Sequence, residues 1–144
     1  MVRLACGLAF VLVAVLLMAC SPVTREAHPP MLANTAWRAV TINGKPVVAG
    51  SEPTATFKVA DVTGSSGCND WFGSYEYDLS TGRLTLSQVG MTARACVDPA
   101  PMAVEAAFSQ AIVAVESASM DPEGRLVLSG PGGEIVLAVD GVEG

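Results

Sequence analysis

The sequence predicts an α+β fold: a curved antiparallel β-sheet of about seven short strands with one α-helix packed across it. Three observations predict it. Short runs of alternating apolar residues recur between turn residues from Thr35 to Val139. The alternation is broken once, over Ala100 to Val115, by a stripe of helical period. A length of 144 residues allows one domain and one modest core.

Thr35 to Asn43 (TAWRAVTIN) alternates, with Trp37, Ala39 or Val40, and Ile42 carrying the apolar signal. Asn43-Gly44 after it is a hairpin-type turn. Val47-Val48 offers further pairing before a loop from Gly50 to Pro53, Ala55 to Val59 is the next strand, and Val62 begins another. Gly64 to Gly73 (GSSGCNDWFG) is glycine-rich and aperiodic, which predicts a bend or bulge with positive φ angles. Ser74 to Leu79 and Arg83 to Ser87 form a hairpin about Ser80-Thr81-Gly82, with Tyr75 and Tyr77 on one face, as are Leu84 and Leu86. In the helix Val104, Phe108, Ala111, Ile112 and Val115 make one stripe, with Asp98 as N-cap and Pro99 at the first position. Turns at Met120 to Gly124 and Gly130 to Gly133 frame two closing strands, Arg125 to Ser129 and Glu134 to Val139.

Ahead of this domain, residues 1–19 have the layout of a secretory leader: Arg3, an apolar run from Leu4 to Met18, then small residues. The run is about 15 residues, short of the ~20 that span a bilayer, so a permanent anchor helix is the weaker reading. Leu17-Met18-Ala19-Cys20-Ser21 resembles the lipobox of bacterial lipoproteins, with Met18 a less usual occupant. The resemblance implies cleavage before Cys20, acylation of its thiol with palmitate-type chains, and, since Ser21 is not aspartate, an outer-membrane address facing the periplasm. An ordinary secreted protein with Cys20 incidental is the alternative. Residues 20–30 then read as a lipidated cysteine and polar, proline-bearing tether, and residues 31–144 as the domain. Beyond Cys20 lie seven basic and fourteen acidic residues, a net charge of −7 that argues against nucleic acid as partner and leaves membrane attachment to the lipid.

Two cysteines remain in the domain, Cys68 and Cys96, 28 residues apart. In an exported protein a structural disulfide is the favoured reading, ahead of free buried thiols or a functional thiol. The one histidine, His28, lies in the tether, which argues against zinc and against a serine or cysteine nucleophile with a histidine base. No S-x-x-K spacing supplies a lysine in its place. Asp70, Glu76 and Asp78 are candidates for a carboxylate pair or a calcium site, but Glu76 and Asp78 alternate with Tyr75 and Tyr77 as on a half-solvated strand. No catalytic residue, metal ligand or cofactor is therefore assigned. Asn69, Trp71 and Phe72 are the candidate partner contacts, since adjacent aromatics in a bend cannot both be buried by simple alternation; both tucked beneath it is the competing reading. Asn69 is also suited to bond the local backbone, and Glu105 to satisfy a loop amide or Arg94, or to be solvated.

Four segments, in order, resemble the META domain family, also called HslJ-like (DUF306). They are Leu32-x-x-Thr35-x-Trp37; Gly64-x-x-Gly67-Cys68-Asn69-x-Trp71-x-Gly73-x-Tyr75; Thr92-x-x-Ala95-Cys96; and Glu105-x-x-Phe108. The closing hairpin, Arg125 to Val139, is similar to that family's ending, although no phenylalanine completes it, and Trp71 stands where phenylalanine or tyrosine is commoner. The resemblance implies an α+β fold, frequent occurrence as envelope lipoproteins, and links to heat-shock or antibiotic stress, including novobiocin tolerance. It implies no reaction. The expectation is a non-enzymatic envelope lipoprotein that supports stress tolerance through an envelope protein or small ligand; the alternative is a periplasmic inhibitor or ligand-binding module.

Overall fold

Period-two patterning becomes nine strands in the computed structural model, which describes residues 30–141 other than Ala95. The expected leader, Cys20 and all of the tether but Pro30 lie outside the described residues. The strands are β1 (Thr35–Ile42), β2 (Lys45–Pro46), β3 (Thr54–Phe57), β4 (Asp61–Ser65), β5 (Asp70–Asp78), β6 (Arg83–Met91), β7 (Ser117–Met120), β8 (Leu126–Gly130) and β9 (Gly133–Val139), with helix α1 (Pro99–Ile112) between β6 and β7.

The order is β2-β1-β3-β4-β5-β6-β7-β8-β9, and β9 pairs back onto β1 from Trp37↔Val139 to Ile42↔Ile135. Eight strands thus close into an antiparallel barrel, with β2 an extra strand beside the end of β1. This corrects the expected curved sheet of about seven strands in both count and closure. β2 is only two residues long, and β7 (SASM) buries Ala118 alone, so neither carries an alternating signal. Closure gives the outer edges of β1 and β9 to each other, so neither is left to template aggregation.

Local details follow from the residues. Asn43 (φ 51°) and Gly44 (φ 73°) both occupy the left-handed region, as a two-residue hairpin turn of this hand requires. Trp37, Ala39 and Ile42 all face inward because the β1–β9 register shifts between Ala39 and Thr41; one extra residue flips the parity of the strand beyond it. On α1 the Asp98 side chain accepts the Ala100 N–H at 2.9 Å, and Pro99 sits in the first turn without an N–H to leave unpaired. Phe108, Ala111 and Ile112 are buried against β8, β9 and β1. The interior is filled by Trp37, Phe57, Trp71, Leu84, Leu126, Leu128, Ile135 and Leu137.

The glycine-rich segment bends over fewer residues than its composition predicts. Only Ser66 to Asn69 lie outside strands, because β5 begins at Asp70 and takes in Trp71, Phe72 and Gly73. The expected irregularity survives as Gly67 (φ 109°) and as a register shift between Phe72 and Ser74 against β6.

Candidate functional site

The bend between β4 and β5 lies at the helix-capped end of the barrel, and its side chains form a clasp. Gly67 adopts a backbone conformation that favours glycine, and a Cβ there would stand 2.9 Å from the Ser51 carbonyl oxygen. Gly64 is more constrained still, since a Cβ would collide with the Thr54 carbonyl oxygen. The turn closes with Ser66 N–H donating to Asn69 O at 2.7 Å.

Asn69, almost wholly buried, ties three segments together. Its Nδ2 donates to Glu105 Oε1 at 2.9 Å and Oε2 at 3.0 Å, and its backbone N–H donates to Oε2 at 3.0 Å. Its Oδ1 accepts from Thr92 Oγ1 at 3.0 Å and from Arg94 N–H at 2.6 Å. Thr92 Oγ1 in turn accepts from Asp70 N–H at 3.0 Å. Ser66 Oγ lies 3.1 Å from Glu105 Oε2 and 2.9 Å from Asn69 O, so its single proton serves one at a time. Cys68 and Cys96 stand at disulfide distance across the same gap, with Cα atoms 6.1 Å apart, within the span a disulfide bridges.

The sequence-predicted residues of the bend and helix meet here. The Asn69 side chain does not bond the local backbone as expected: it reaches Glu105 on the helix and Thr92 and the Arg94 N–H after β6, while Ser66 and the Asn69 backbone close the turn. Glu105 satisfies the Asn69 loop amide, while Arg94 sends its guanidinium to Asp70 at 2.6 Å on the surface. Trp71 and Phe72 divide as adjacent strand residues must. Trp71 is inward and 1% exposed, its indole N–H donating to Thr54 O at 2.8 Å and its ring 5.5 Å from that of Phe108 at 63°. Phe72 is outward and 52% exposed. Of the three candidate contacts, Asn69 and Trp71 are therefore interior, one held by the clasp and one by the core, and Phe72 alone has an exposed side chain. Asp70 and Asp78 occupy opposite ends of β5, about 26 Å apart at the usual rise per strand residue, so they form no carboxylate pair. Thr92 and Ser66 are the clasp members that sequence reasoning passed over. Thr92 opens the T-x-x-A-C segment, which was the available signal.

The opposite end of the barrel is built differently. Thr35 Oγ1 donates to Leu32 O at 2.5 Å and accepts the Trp37 indole N–H at 2.7 Å, a local tie that explains the L-x-x-T-x-W spacing. Tyr75 packs edge-on to Phe57, and its hydroxyl donates to Lys58 O at 2.6 Å; burial raises its pKa. The Tyr77 hydroxyl is buried and has no hydrogen-bond partner among the described residues. Burial, and then the charge of Asp78, raise its pKa. Beside the two tyrosines a pocket of about 210 Å³ is walled by Met31, Leu32, Ala33, Val59 and Leu79.

A small antiparallel barrel with one helix across its end, clasped by Asn69 and Glu105, is the class of protein that fold and site define. The META domain family matches residues 30–142, and the chain belongs to it. The barrel is similar to a protein from Burkholderia xenovorans solved by NMR (21% identity over 85% of this chain and 98% of that one, TM-score 0.56). It is also similar to a second protein solved by NMR (21% identity, 83% and 100%, TM-score 0.61). A third likeness is to the crystal structure of a DUF4847 family protein from Bacteroides vulgatus (17% identity, 75% and 94%, TM-score 0.55). At these identities the likeness is one of fold. No curated protein matches the chain. None of these likenesses indicates a catalytic family.

Proposed function

We propose that this protein is a lipid-anchored envelope protein whose META domain is a non-catalytic barrel supporting tolerance of envelope or antibiotic stress. The Asn69–Glu105 clasp carries the reading. The polar groups that the family motifs bring together are saturated by one another, holding a bend, a helix and a post-strand segment in one arrangement. Such a site is built for rigidity, and a reacting group needs the reverse, an unsatisfied atom facing substrate. The Leu17-Met18-Ala19-Cys20 run supports anchoring by acyl chains on Cys20, with Ser21 favouring the outer membrane. An oxidised Cys68–Cys96 pair fits that compartment. Two measurements test the reading. A deletion strain should gain sensitivity to envelope-directed antibiotics, restored by the native gene and not by Cys20→Ala; unchanged tolerance counts against the stress role. Intact mass of the membrane-extracted chain should begin at Cys20 plus acyl groups, and an unlipidated mass removes the anchor.

Phe72 favours a second reading, a module that binds a periplasmic protein or ligand. It stands beside a shallow groove lined by Asp61, Thr63, Ser74 and Gln88 on the outer wall of the barrel. Capture of a specific envelope protein by the immobilised chain, lost in Phe72→Ala, supports this reading. Equal capture by both forms removes it.

A further inference from the structure

We propose that the barrel end ringed by Met31, Val59 and Leu79 is a bilayer-docking face, which seats the domain on the interfacial layer of a zwitterionic membrane. The inference rests on the lipid-anchor reading and adds to it which surface meets the membrane.

Three aliphatic side chains project at this end: Met31 is 72% exposed, Val59 79% and Leu79 51%. They come from three separate places, the chain entering β1, the β3–β4 turn and the β5–β6 turn, and they wall one pocket with Tyr75 and Tyr77. Isolated exposed aliphatics need no explanation, whereas three converging on a common depression form a patch. The occupant follows from where the chain leaves the domain. Met31 is both a member of the rim and one residue from Pro30, where the described chain begins. Cys20 lies ten residues before Pro30, a reach of at most about 36 Å for an extended chain. Acyl chains on Cys20 would therefore hold this end nearer the bilayer than any other, at an effective concentration where weak insertion suffices. The clasp lies at the opposite ends of β4, β5 and β6 from Val59 and Leu79. Lys58, exposed beside Val59, is placed to meet lipid phosphate, while the −7 charge of the chain after Cys20 disfavours an anionic surface. The buried Tyr77 hydroxyl, unpartnered among the described residues, lies in the same wall and matches the mixed polar and apolar character of the interfacial layer.

The test uses the full chain, processed through its own leader and reconstituted in phosphatidylcholine vesicles with brominated acyl chains. Tryptophan is introduced singly at Val59, Leu79 or, at the helix end, Val113. The native Trp37 and Trp71 are buried and supply a constant background measured on the unsubstituted chain. Tryptophan at 59 or 79 is expected to shift to the blue and lose most of its emission to the bromines, while tryptophan at 113 keeps it. Leu79→Asp in the Val59→Trp chain should restore the emission, and phosphatidylglycerol in the vesicles should weaken the quenching. Intact mass of the same sample reports acylation of Cys20. A lipidated chain with equal emission at all three positions overturns the docking face and leaves the anchor standing. A chain without lipid removes the anchor. Docking is then read from that chain added to the same vesicles, where quenching confined to 59 and 79 supports it and its absence overturns it.

Discussion

The two ends of the barrel hold together by opposite means. At the helix end a buried amide, a carboxylate, a threonine and a backbone N–H form a closed polar network, reinforced by the cysteine pair and by Trp71 against Phe108. At the other end several aliphatic side chains are exposed, the polar ties are single hydrogen bonds, and one tyrosine hydroxyl is buried without a partner among the described residues. A saturated network specifies one arrangement because each broken link leaves a buried group unpaired. An apolar rim specifies little by itself, and it gains energy when something else covers it. The difference teaches that the motif residues around Asn69 serve the architecture of this barrel, while Met31, Val59 and Leu79 leave apolar surface uncovered at the other end.

The comparison can be broken most severely at the cysteines. Replacing Cys68 and Cys96 together by alanine should cost about 3–4 kcal/mol of unfolding free energy, the chain-entropy value for a 28-residue loop, measured by urea denaturation. Equal midpoints for the native and substituted chains would show that the pair does not staple the clasp. Next in size, Glu105→Ala should lose about 1–3 kcal/mol, because the Asn69 side-chain amide stays buried without its acceptor, while the Ser66 hydroxyl keeps the Asn69 carbonyl. Glu105→Gln, keeping one acceptor oxygen, should recover part of that loss. If alanine and glutamine behave alike, the carboxylate is not the centre of the network.

The two tyrosines of β5 sharpen the contrast within one strand. Tyr75→Phe should cost about 1 kcal/mol by removing the bond to the Lys58 carbonyl. Tyr77→Phe deletes a buried hydroxyl with no partner among the described residues and should be neutral or stabilising in thermal melts. Losses of the same size for both would show that this end is as well satisfied as the clasped one. The smallest expected effect is at low pH. Burial pushes the Asp121 carboxyl up, but the Arg125 N–H and guanidinium outweigh it and leave its pKa below the ordinary 3.8. Its contribution to stability is therefore present above pH 3.8 and lost as the pH falls through the lowered folded value. Asp121→Asn should remove that part of the acid sensitivity, which acid titrations of both chains would register.

Much of the barrel is legible in the residues because its signals are local. Tyr75, Tyr77, Leu84 and Leu86 announce their hairpin by alternation, and they pair as Tyr75↔Leu86 and Tyr77↔Leu84. Asp98-Pro99 marks the start of α1 because capping and fixed φ act within one turn. β7 escapes notice because Ser117, Ser119 and Met120 are only partly buried, and its place comes from pairing with β8 over four residues. The site was legible by halves. Asn69, Glu105 and the cysteines stand out as residue types, but spacing does not state that Asn69 would be interior.

The sequence by itself determined most strand and turn positions, the start of the helix and its cap, and the membership that its motifs imply, since each depends on residues a few positions apart. Only the tertiary structure decided that β9 returns to β1, that Trp71 faces in and Phe72 out, and that Glu105 meets Asn69 across 36 residues of chain. Those outcomes depend on which distant surfaces bury each other, and closing such long loops costs entropy that only the assembled core offsets.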